Sequence, residues 1–172
     1  MKKIIVGLLL ILSLFCISAC NKKSNETIPN PSEVVPENEI TISGIKYVLN
    51  KEEKEYNMTY MVAENFTRLT FDNGIIYYSE KVDGKYNMSL KLFKHNNMSI
   101  DDAIKDTTGS NEQFNKQEVT INDITYTKIQ YNEIDLYFYI KDNVTHVFTF
   151  ACKEEGKAVE LANKFLKYVK YD

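Results

Sequence analysis

Apolar residues recur along most of this chain with a period of two. Tyr56, Met58, Tyr60 and Val62 alternate with polar or smaller residues, as do Tyr86, Met88, Leu90 and Leu92, and then Ile134, Leu136, Phe138 and Ile140. Each run predicts a strand with a buried face. Turn chemistry separates the runs: Asp72-Asn73-Gly74, Asp83-Gly84 and Asp142-Asn143 suit tight reversals between antiparallel neighbours. Residues 39–47, E-I-T-I-S-G-I-K-Y, read as a further hairpin about Ser43-Gly44, and residues 118–126, E-V-T-I-N-D-I-T-Y, nearly repeat it. The likeness stops at Tyr126, which favours two independent hairpins over a duplicated domain.

The period changes twice. Ser99-Ile100-Asp101-Asp102 fits a capping box and opens a short helix to about Thr108, stopped by Gly109. Over residues 154–170, Ala158, Leu161, Ala162, Phe165 and Val169 recur at helical spacing, with Glu154 and Glu155 at the positive start and Lys164, Lys167 and Lys170 at the negative end. The order of elements predicts an α+β domain, an antiparallel sheet with the short middle helix and a long C-terminal helix packed on it. The S-I-D-D-A-I helix after a hairpin, and the final hairpin leading into A-V-E-L-A-N-K-F-L, resemble the PsbP-like fold. That fold is an α/β/α sandwich seen in extracytoplasmic lipoproteins and photosystem extrinsic subunits. The resemblance covers most of residues 40–169, implies an accessory or binding role, and carries over no catalytic residue.

A different pattern precedes all this. Lys2 and Lys3 lead into an apolar run over residues 4–17, shorter than the roughly 20 residues of a transmembrane helix and suited to a signal-peptide core. It ends Ile17-Ser18-Ala19-Cys20, which resembles the lipobox of bacterial lipoprotein signals. The resemblance implies cleavage before Cys20 and a lipid on its sulfur, holding the protein on the cell membrane, facing away from the cytoplasm. Residues 21–38 contain all three prolines and few large apolar side chains, the composition of a tether. The expected organisation is thus a signal peptide at 1–19, a lipidated Cys20 with its tether at 20–38, and one α+β domain at 39–172.

Charge and cysteine usage narrow the partners. The leader carries two of the 21 basic residues and no acidic ones, leaving 19 against 24, a side-chain balance of −5. That argues against nucleic acid as a partner and against a polybasic membrane patch, so attachment would rest on the lipid. With Cys16 removed in the leader and Cys20 lipidated, Cys152 is the one thiol of the mature chain and no intramolecular disulfide can form.

Candidate chemistry is sparse. Two histidines supply the possible bases: His146 reads as a core-rim residue on the face of Phe148, Phe150 and Cys152, and His95 as a solvated loop residue. In a regular strand His146 and Cys152 stand about 20 Å apart, too far to share a metal. The pairs Glu52-Glu53, Asp101-Asp102 and Glu154-Glu155 have simpler roles in solvated loops and at helix starts than in glycoside hydrolysis. No catalytic residue, cofactor or metal is expected. Tyr137 and Tyr139 alternate away from the Ile134, Leu136, Phe138, Ile140 face and are the candidate binding residues, since tyrosine supplies stiff amphipathic contact area. The expected function is a membrane-anchored, non-catalytic accessory module for an envelope protein, peptide or wall polymer. The alternative is a small extracytoplasmic hydrolase using carboxylates.

Overall fold

Two-residue turns organise the chain, as seen in the computed structural model, which describes residues 36–172. Ser43-Gly44, Tyr56-Asn57, Asn122-Asp123, Asn132-Glu133 and Asp142-Asn143 each place both central residues at positive φ, between 49° and 75°. That backbone matches the right-handed twist of paired strands, so each turn closes a hairpin. The strands are β1 (Glu39–Ile42), β2 (Ile45–Glu55), β3 (Met58–Ala63), β4 (Thr67–Phe71), β5 (Gly74–Tyr78), β6 (Lys81–Val82), β7 (Lys85–Tyr86), β8 (Met88–Asn96), β9 (Gln117–Ile121), β10 (Ile124–Tyr131), β11 (Ile134–Lys141), β12 (Val144–Cys152) and β13 (Lys170–Tyr171). The helices are α1 (Ile100–Thr108) and α2 (Lys157–Leu166).

Among the described residues all pairings are antiparallel. Seven strands form a large sheet in the order β4-β5-β8-β12-β11-β10-β9, four form a smaller one in the order β1-β2-β3-β13, and β6 with β7 make a separate hairpin. This corrects the expected α+β domain and its α/β/α sandwich: the described residues are mostly β-sheet, with two short helices among them. The main core joins one face of the large sheet to the small sheet and α2. Ile40, Ile42, Tyr47, Tyr60 and Val62 come from the small sheet; Ile75, Tyr77, Leu90, Leu92, Tyr126, Tyr137, Phe148 and Phe150 come from the large one.

The terminal helix is correspondingly shorter than its apolar period suggests. It ends at Leu166; Val169 is buried beyond it, and Lys170–Tyr171 turns into a strand on β3. The helix still buries Ala158, Leu161, Ala162 and Phe165 of the predicted stripe, together with Leu166.

α1 covers a second, smaller core. Its start is capped by Ser99 as predicted: Ser99 accepts from the Asp102 amide at 3.2 Å, while the Asp102 carboxylate reaches back to the Ser99 hydroxyl, at 2.6 Å, rather than to its amide. Gly109, at φ 64°, ends it in the left-handed conformation that glycine adopts without strain. Ala103 and Ile104 pack on Ile129, Leu136, Phe138 and Val147 of the large sheet's other face.

Polar links tie the sheets together. Tyr60 and Tyr77 hydroxyls meet at 3.0 Å across the core, and Arg68 of β4 binds Glu53 at 2.9 Å and also Glu55, both on β2. Buried Asn87 donates to the Ile42 carbonyl and the Tyr47 hydroxyl, each at 2.8 Å. Residues 36–38, the end of the expected tether, are joined to the domain: Leu49 donates to the Asn38 carbonyl at 2.8 Å and Lys167 pairs with Glu37 at 2.5 Å. Among the described residues no helix is long and apolar enough to cross a membrane.

Candidate binding surface

Cys20, the expected lipidation site, lies outside the described residues. Tyr137 and Tyr139 lie on β11, near the middle of the large sheet, where both faces are covered. Tyr137 is 1% exposed, edge-on to Tyr126 and Phe150. Tyr139 is partly buried against Tyr126 and Tyr171, with ring centres 5.8 and 4.8 Å away. The expected binding role of Tyr137 is therefore corrected: its ring belongs to the main core. Alternation does turn Tyr137 away from Leu136 and Phe138, but the face it points to is covered by a second sheet.

The histidines and the thiol are likewise held in place by packing. His146 is buried edge-on against Tyr171, with ring centres 5.0 Å apart, at a cavity of about 190 Å³ that Tyr56, Lys141 and Asp142 help to line. Burial, then Lys141 and Lys94, depress its pKa to about 4, so it is neutral near pH 7. An unfolded chain takes up this proton near pH 6.5, whereas the native state does so only near 4. Unfolding should thus become easier by about 2–3 kcal/mol as pH falls through that window. His146→Phe should flatten the slope in urea titrations at pH 4, 5 and 7; an unchanged slope would place the linked group elsewhere.

His95 is not in a solvated loop. It lies on β8, one residue before its end, is 9% exposed, and its Nδ1 lies 3.4 Å from the Asp106 carboxylate of α1. Burial, with Glu154 and Glu160 nearby, pushes the Cys152 thiol up to about 12, which keeps it protonated and a poor nucleophile. The acidic pairs have structural partners: Glu53 binds Arg68 and Lys51, Asp102 caps α1, Asp101 pairs with Lys116, and Glu154 accepts from the Ser43 amide at 2.6 Å. Among the described residues no three His, Cys, Asp or Glu side chains are placed to hold a metal ion.

The feature that packing leaves open is half of the large sheet's second face. Cross-strand registry sets Phe71, Gly74, Phe93, Val147 and Phe138 in one row, and Leu69, Ile76, Lys91, Thr149 and Leu136 in the next. α1 packs over the β10-β11-β12 end of these rows. At the β4-β5-β8 end Leu69 is 45% and Phe71 50% exposed, Ile76 and Phe93 are half-buried, and Tyr78 stacks on exposed Tyr86 at 4.6 Å. Gly74 is required there, because a Cβ would stand 2.2 Å from the Phe93 ring lying across it. The sequence signal for this surface is the alternation of Leu69 and Phe71 with Arg68 and Thr70 ahead of the Asp72-Asn73-Gly74 turn, a five-residue run too short to stand out beside the longer alternations.

No family model matches the sequence, and no curated protein does. Among solved structures, a crystal structure of a protein from Bacteroides thetaiotaomicron is similar at 14% identity and a TM-score of 0.47, over 67% of this chain. The match spans 45% of that protein's length.

Proposed function

We propose that this protein is a lipoprotein, anchored through Cys20 on the outer side of the cell membrane, whose β domain binds another envelope component without catalysing a reaction. The leader and its I-S-A-C ending support the anchor. The observation that carries the binding role is the open apolar end of the large sheet, where Leu69, Phe71 and Tyr86 are exposed beside half-buried Ile76, Tyr78 and Phe93. Contiguous exposed apolar surface of this kind marks interaction sites more often than isolated side chains do.

Two changes test the two parts. Cys20→Ser removes the thiol that accepts the lipid, and the protein should leave the detergent phase on fractionation; equal membrane retention defeats the anchor. Ile76→Lys places a charge in the open face without touching the main core, and should weaken capture of a partner from the native envelope about ten-fold or more. Turnover of a wall polymer or peptide that disappears on changing one carboxylate would instead favour the hydrolase.

A further inference from the structure

The open face ends at β4, the edge strand of the large sheet, and the edge itself has a composition that invites pairing. Phe71 and Gly74 close a two-residue turn, so Phe71, Leu69 and Thr67 direct their backbone groups toward β5. Arg68 and Thr70 therefore direct theirs outward, and neither amide has a backbone partner among the described residues. The opposite edge, β9, carries Glu118 at the equivalent outward position, the kind of charge that guards an edge strand. On β4 the corresponding charge, Arg68, is drawn back onto Glu53 and Glu55 of the small sheet. What β4 presents is Thr67, Leu69, Thr70 and Phe71, all exposed.

We propose that a second copy of this chain pairs with that edge, β4 against β4, antiparallel about a two-fold axis at Thr70. The pattern is self-complementary in that register. Thr70 faces Thr70, and Leu69 faces Phe71 of the other copy twice. Apolar pairs directly across a ladder stabilise it. Centring the axis on Arg68 instead sets Leu69 opposite Thr67 and leaves Phe71 beyond the end of the partner strand, so both apolar pairs are lost and the sequence disfavours that register. Pairing leaves the open faces uncovered and joins them into one broader apolar platform, with Leu69 and Phe71 at its centre. This inference uses the same surface as the proposed binding role but does not depend on the lipid anchor.

Thr70→Cys in the full-length chain tests it. Residues facing each other in a hydrogen-bonded antiparallel pair have Cα atoms about 5.5 Å apart, within disulfide range. The matched control is Thr120→Cys, an exposed, outward-facing position on β9. Both variants retain the native cysteines, and Cys152 is protonated, so the difference between them reports the edge. Under mild oxidation Thr70→Cys should give at least about ten-fold more covalent homodimer than the control, and adding Phe71→Asp should abolish the excess. Equal yields from the two variants, or a product that joins the chain to a different protein, would overturn self-pairing. Neither result depends on Ile76, so loss of partner capture in Ile76→Lys with an intact cross-link separates the two proposals.

Discussion

Phe165→Ala should lower the unfolding free energy by about 3–5 kcal/mol, the range for emptying a buried aromatic site. Phe165 is fully buried on α2 and touches both sheets: its ring centre lies 5.6 Å from Tyr60 in the small sheet, and 6.1 and 5.7 Å from Phe148 and Phe150 in the large one. Three elements would have to move together to fill the space, and none can do so alone without breaking its own ladder or the Tyr60–Tyr77 hydroxyl contact. A guanidinium titration should show the midpoint falling at constant slope. A loss under about 1 kcal/mol would mean that the sheets close over the gap.

What the sequence made legible was local. Paired central residues such as Asn122-Asp123 and Asp142-Asn143 accept positive φ, and the period-two runs beside them make hairpins in one register. The capping residues of α1 and its stop at Gly109 were legible for the same reason. The second sheet was not. β2 ends in Lys51-Glu52-Glu53-Lys54-Glu55, which reads as solvated loop and is a strand because β3 pairs with it and Arg68 of β4 neutralises part of its charge. β13 is two residues long, and nothing in Lys170-Tyr171 foretells a partner more than a hundred residues away.

The same limit applies to the site. Alternation put Tyr137 on the face opposite Leu136 and Phe138, which is where it lies, but whether that face meets water depends on a sheet built from the two ends of the domain. Leu69 and Phe71 illustrate the converse: their strand has only one neighbour, so an apolar alternation that elsewhere signals core here signals surface.

Lys128→Met should cost about 3 kcal/mol, although it replaces a charge with an apolar chain of similar length. Lys128 lies 3.0 Å from Asp135, whose side chain is 3% exposed. The two approach off the hydrogen-bond axis, so charge rather than an aligned bond holds them together. The Tyr137 ring lies 5.4 Å from the ammonium. Burial alone would lower the Lys128 pKa, but Asp135 and Tyr137 outweigh it and raise the value, which keeps the ammonium charged at neutral pH. Taking away the ammonium strands a carboxylate with little access to water, and that stranded charge is the main cost. The double change Lys128→Met with Asp135→Leu removes both charges, and should recover all but about 1 kcal/mol of the loss. Chemical denaturation of the two single variants and the double variant at pH 7 measures the coupling. Additive losses would show that Asp135 finds another partner in the polar cleft it shares with Gln117 and Gln130.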